Sequence, residues 1–92
     1  MEIFKNIDEK FEEIGFKKVE DNEYIVSYER DNRPYAYTQV LDICHKKSGR
    51  HIIQSYDKGL FDTKGIGNIC VGLTYYETKL ALKKMKKKKW HK

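Results

Sequence analysis

The 92-residue chain contains one proline, two cysteines, one tryptophan and no apolar run longer than a few residues. Each shortage excludes something. Without a stretch of roughly 20 apolar residues there is no membrane-spanning helix. The opening Met1-Glu2-Ile3-Phe4-Lys5 lacks the charged-then-apolar order of a secretory signal. Cys44 and Cys70 stand in no paired spacing, so they form neither a disulfide framework nor a Cys-x-x-Cys metal pair. A reduced, cytoplasmic protein without a membrane role is therefore expected. Acidic residues are missing from one place in particular, Lys83 to Lys92, where seven of ten residues are lysine.

That absence reshapes the overall charge of +5. The other 12 basic and 14 acidic residues leave residues 1–82 at a net −2. A slightly acidic single domain over 1–82 is expected to carry a lysine-rich helix end or tail over 83–92. At this size folding buries only about 60–65% of the unfolded surface, so the core is small. With 39% hydrophobic and 13% aromatic residues, the chain still has enough apolar surface to fold.

Residues 2–14 read as an amphipathic helix, with Ile3, Ile7, Phe11 and Ile14 on one face. Asn6 with Glu9 offers a capping box for a shorter version. Gly15 and Phe16 are placed to end it in a Schellman turn, with Phe16 touching Phe11. Four strands are expected next, over Phe16–Glu20, Glu23–Arg30, Tyr35–His45 and His51–Asp57, separated by turn-forming Asp21-Asn22, Asp31-Asn32-Arg33-Pro34 and Lys47-Ser48-Gly49-Arg50. Short connections force antiparallel neighbours. A glycine-rich stretch over 57–72 follows, with Ile69-Cys70-Val71 as a candidate short strand. Thr74-Tyr75-Tyr76-Glu77 is a capping box opening a second helix, which should end between Met85 and Trp90. The expected fold is α+β: a four-stranded antiparallel meander flanked by N- and C-terminal helices packed on one sheet face.

Two segments carry a resemblance. They are His45-Lys46-Lys47-Ser48-Gly49-Arg50-His51-Ile52-Ile53-Gln54-Ser55-Tyr56 and Val71-Gly72-Leu73-Thr74-Tyr75-Tyr76-Glu77-Thr78-Lys79-Leu80. In their phrasing the chain resembles small phage and prophage proteins of low-GC Gram-positive bacteria. The resemblance implies a phage-type accessory protein acting in a bacterial host cell. It transfers no functional residues, and it favours two roles: handling nucleic acid and binding a host or phage protein.

The candidate nucleic-acid residues are Lys83, Lys84, Lys86, Lys87, Lys88, Lys89, Trp90 and Lys92. Lysines release counterions from phosphate backbones, and a tryptophan among them can stack on an unpaired base. A solvated helix end explains the same residues, because lysines near a helix C-terminus favour its dipole. If the tail is autonomous, removing 83–92 abolishes any nucleic-acid retention and leaves the fold intact. Tyr24, Tyr28, Tyr35 and Tyr37 share strand-face parity and form a candidate interface, either for bases or for a protein partner, including a second copy of the chain. Ordinary cross-strand packing accounts for them as well.

No catalytic, metal or cofactor site emerges. Cys44, His45, His51 and Cys70 carry the right atoms for zinc, but Cys44 and His45 are strand neighbours and point to opposite faces. A thiol nucleophile with a histidine base needs an orienting group and an oxyanion site, and neither is indicated. Gly65-Ile66-Gly67 lacks the third glycine and the strand–helix setting of a nucleotide loop. Asp31, Asp42, Asp57 and Asp62 show no repeated spacing. The expected role is non-catalytic binding, through nonspecific nucleic-acid contact at the C-terminus. The alternative is a protein-interaction module that uses a sheet edge or the tyrosine face.

Overall fold

The computed structural model describes residues 5–32, 37–59 and 70–90. Six elements follow in order: α1 (Ile7–Glu13), β1 (Lys17–Asp21), β2 (Ile25–Asn32), β3 (Tyr37–His45), β4 (His51–Asp57) and α2 (Tyr75–Lys87). The strands form one antiparallel sheet in the order β1-β2-β3-β4, so the meander and its flanking helices are as expected. No helix among the described residues is long and apolar enough to cross a membrane.

The shorter version of the first helix is the one formed. The Asn6 side chain accepts from the Glu9 amide at 2.8 Å, and the Glu9 carboxylate accepts from the Asn6 amide at 3.1 Å. Its end is a complete Schellman turn. Gly15 takes φ +96°, its amide donates to the Glu12 carbonyl, and the Phe16 amide donates to that of Phe11. The two rings then meet edge to face, with centroids 5.7 Å apart.

Sheet register sorts the side chains by parity. Val26 pairs with Ile43, Tyr28 with Leu41, and Ile43 with Ile53, so these residues share the helix-covered face. Phe11, Phe16, Leu80, Ala81, Met85 and Trp90 complete the core against them. Each fully buried large side chain contributes about 1.5–3 kcal/mol through loss of apolar contact with water. At the β1–β2 turn, Asn22 Oδ1 accepts from the amides of both Tyr24 and Ile25. Gly49, at φ +89°, closes the β3–β4 hairpin. Of the candidate fifth strand, the described residues Cys70 and Val71 show an isolated bridge from Cys70 to Tyr56, and Ile69 lies outside the described residues. Residues 60–69, most of the glycine-rich stretch, lie outside the described residues.

Helix α2 is fixed to the sheet by one carboxylate with two tasks. Glu77 Oε1 accepts from the Thr74 amide in the expected capping box, while Oε2 pairs with Arg30 at 2.9 Å. The Arg30 guanidinium lies 4.2 Å from the Phe16 ring centroid and also donates to the Ile14 carbonyl and to Gln39. The start of α2, the end of α1 and the middle of the sheet are thereby joined at one cation.

Candidate functional site: the two faces of the C-terminal helix

At 3.6 residues per turn, the α2 lysines divide into two sets. Glu77, Leu80, Ala81, Lys84 and Met85 are buried. Tyr75, Lys79, Leu82, Lys83 and Lys86 are exposed on the opposite side.

The inward set is engaged in the fold. Lys84 is only 8% exposed and donates to Asp8 Oδ1 at 3.1 Å. Asp8 also accepts from Lys18 at 2.8 Å and from the Tyr28 hydroxyl at 2.6 Å. Burial pushes the Asp8 carboxyl up, but the hydrogen bonds from Lys18, Tyr28 and Lys84 together outweigh it and hold the pKa at about 2. Lys88 reaches Asp21 at 2.8 Å and the Asn22 carbonyl at 3.1 Å, and Asp21 also takes Lys18. Led by the Lys88 hydrogen bond, these contacts hold the Asp21 carboxyl below its ordinary range. A chain of alternating charge, Lys84–Asp8–Lys18–Asp21–Lys88, thus runs from α2 past α1 to the first hairpin.

Trp90 belongs to the same inward set, which corrects its expected role as an exposed stacking ring. Lys89 takes φ +63°, its amide donates to Lys86 and that of Trp90 to Met85, giving a second Schellman turn with lysine in the usual glycine position. The turn sends the indole back onto the sheet, where it is 6% exposed and stacks on His45 with centroids 5.2 Å apart. His45 in turn stacks on His51, their Nδ1 atoms 3.0 Å apart. Lys88 Nζ lies 5.0 Å from the indole centroid. Met85 and Trp90 are therefore part of the core, with Lys84 buried beside them, and removing 83–92 would open it.

The outward set carries no acid, since Glu77, the only carboxylate in α2, faces the fold. Tyr75 is 79% exposed, with Lys79 Nζ 5.3 Å from its ring centroid. Tyr76 and Leu82 are exposed large side chains beside Lys79, Lys83, Lys86 and Lys87. Lys89 is exposed at the helix end. Tyr75 and Lys79 escaped the sequence reading because the capping box accounted for that turn, and Tyr76, whose spacing from Leu73 and Leu80 points to the apolar face, is exposed instead. The signal available was the four-residue step from Tyr75 to Lys79 and Lys83.

The four candidate tyrosines do not make one open face. Tyr28 is 0% exposed in the core, its ring 4.2 Å from Phe11 and its hydroxyl on Asp8. Burial first, then the Asp8 hydrogen bond, push its pKa strongly up, so the hydroxyl stays protonated. Tyr24 is exposed at the β1–β2 turn and Tyr37 is half-buried at the start of β3. Tyr35 and Lys92 lie outside the described residues.

Among the described residues, no three His, Cys, Asp or Glu side chains gather to hold a metal. Burial, and then the Asp42 charge, push the Cys44 thiol up, opposite to what a thiolate nucleophile needs. Comparison with protein-family models, with curated proteins and with solved structures finds no match, so no relative supplies a site.

Proposed function

We propose that the protein is a non-catalytic, phage-type accessory module of the bacterial cytoplasm that contacts nucleic acid without sequence preference through the outer face of α2. The observation that carries this reading is the exposed row Tyr75–Lys79–Lys83–Lys86, flanked by Tyr76, Leu82 and Lys87 and free of acidic side chains. Lysines spaced along a helix follow a phosphate backbone, and exposed tyrosines add stacking that needs an unpaired base. Single strands are therefore preferred over duplex. Fluorescence anisotropy with labelled single-stranded and duplex oligonucleotides tests this. The Tyr75→Ala/Tyr76→Ala double variant should lose about 1–3 kcal/mol of single-strand affinity per stacked base, with little change on duplex. Equal loss on both, or no binding by the wild type at low salt, removes the reading.

The sheet edge favours the alternative of a protein partner, because all five residues of β1 are exposed. Against strand addition stand its four charged residues and the register shift between Lys18 and Glu20, both devices that protect an edge. Nucleic-acid contact remains the better-supported reading.

A further inference from the structure

On the sheet face away from the helices, Asp42 sits at the middle of β3 and is only 4% exposed. Its Oδ1 accepts from the Ser27 hydroxyl at 2.6 Å, and its Oδ2 accepts from the Tyr56 hydroxyl at 3.0 Å and the Gln54 amide at 3.3 Å. All three donors are neutral. Among the described residues no lysine, arginine or histidine pairs with this carboxylate, in contrast to Asp8, Asp21 and Glu77, each of which holds at least one cation. Taking a charge out of water without a counter-charge is costly. Buried charges are as a rule paired.

Asp42 opens onto a cavity of about 380 Å³, at the small end of the range for ligand sites. Val19, Ile25 and Val40 give it an apolar wall, and Glu20 and Glu29 add two carboxylates to that of Asp42. Among the described residues the lining has one cation, Lys58, which is engaged with Glu29 at 3.1 Å. The cavity is thus short of positive charge, has its least solvated anion at its lining, and offers an apolar path beside it.

We propose that this cavity binds a protonated alkylamine, with the ammonium group at Asp42 and the alkyl chain against Val19, Ile25 and Val40. The shared chemistry covers a free amine and the side chain of a lysine. Selectivity over a neutral ligand of the same shape comes from Asp42.

The test is an amide-resolved NMR titration of the full chain with n-butylammonium chloride, at constant ionic strength, beside n-butanol as the neutral isostere. Saturable shifts at Ser27, Val40, Asp42 and Tyr56 are expected, with a Kd on the order of 1 mM and at least about tenfold weaker binding of butanol. Asp42→Asn should weaken the ammonium ligand at least about tenfold and leave butanol unchanged. Val19→Trp, a change at an exposed position on the cavity wall, should weaken both and keeps the test valid if Asp42→Asn does not fold. A third ligand, Nα-acetyl-lysine methylamide, separates the sources: binding as tight as butylammonium assigns the site to a lysine side chain, and binding of butylammonium alone assigns it to a free amine. Equal binding of butanol, or no saturable shift with either cation, overturns the proposal.

Discussion

Lys83 and Lys84 are neighbours in sequence and alike in chemistry, yet they do different work. Lys84 is buried against Asp8, whereas Lys83 faces water beside Lys79 and Lys86. The same division separates Lys88, held by Asp21, from Lys87 and Lys89. A count of seven lysines therefore overstates the charge offered to a partner. Part of the cluster neutralises α1 and the first hairpin, and only the outward part remains for phosphate. Helical periodicity makes the division, because one residue is a rotation of about 100°.

The sharpest break of that comparison is at the inward end. Trp90→Ala removes a buried aromatic and its stack on His45, and should cost about 3–5 kcal/mol in urea unfolding, a large share of the stability of so small a domain. Were Trp90 only a tail residue, the change would fall within about 0.5 kcal/mol. Lys84→Ala should cost about 1–2 kcal/mol, since Asp8 keeps Lys18 and Tyr28 but loses a charge-assisted bond; Lys83→Ala should stay within about 0.5 kcal/mol. The Asp8 network also sets a smaller acid response. Its carboxyl is lowered from an ordinary 3.8 to about 2, so the unfolded state binds more protons between those values. Its contribution is complete above about pH 5 and is lost as the pH falls through about 2. Screening at this partly exposed site limits it to about 1 kcal/mol. Asp8→Asn should flatten the stability–pH curve in that window, as followed by circular dichroism.

The two helix ends show what can be read from a sequence. Gly15 announces its Schellman turn because glycine takes positive φ without steric cost. The equivalent turn at Lys89 is silent, because lysine there resembles any other tail residue and the contact that fixes it, Trp90 on His45, is 45 residues distant along the chain. Strand parity groups Val26 with Tyr28 and Leu41 with Ile43, and the sheet register agrees. Parity left open which face the helices cover, and so Tyr28 entered the list of interface candidates. The partners of Lys84 and Lys88 were invisible for a related reason: Asp8 and Asp21 reach them only once α1, the first hairpin and α2 have assembled. The exposed Tyr75 was legible by its four-residue step to Lys79, but a helix start is usually interpreted through its cap; Tyr76 was not, because its step to Leu80 points to the apolar face.

The division between the two lysine sets is tested most directly by the salt dependence of single-stranded oligonucleotide binding, comparing Lys79→Gln/Lys83→Gln/Lys86→Gln with Lys84→Gln/Lys88→Gln. With five outward lysines engaged, the wild-type slope of log K against log salt should be about −3.5. The outward triple variant should lose about two units of that slope and remain folded. The inward pair should keep the slope in its folded fraction and lose stability instead. An unchanged slope in the outward variant, or a slope that falls with the inward pair, would contradict the account.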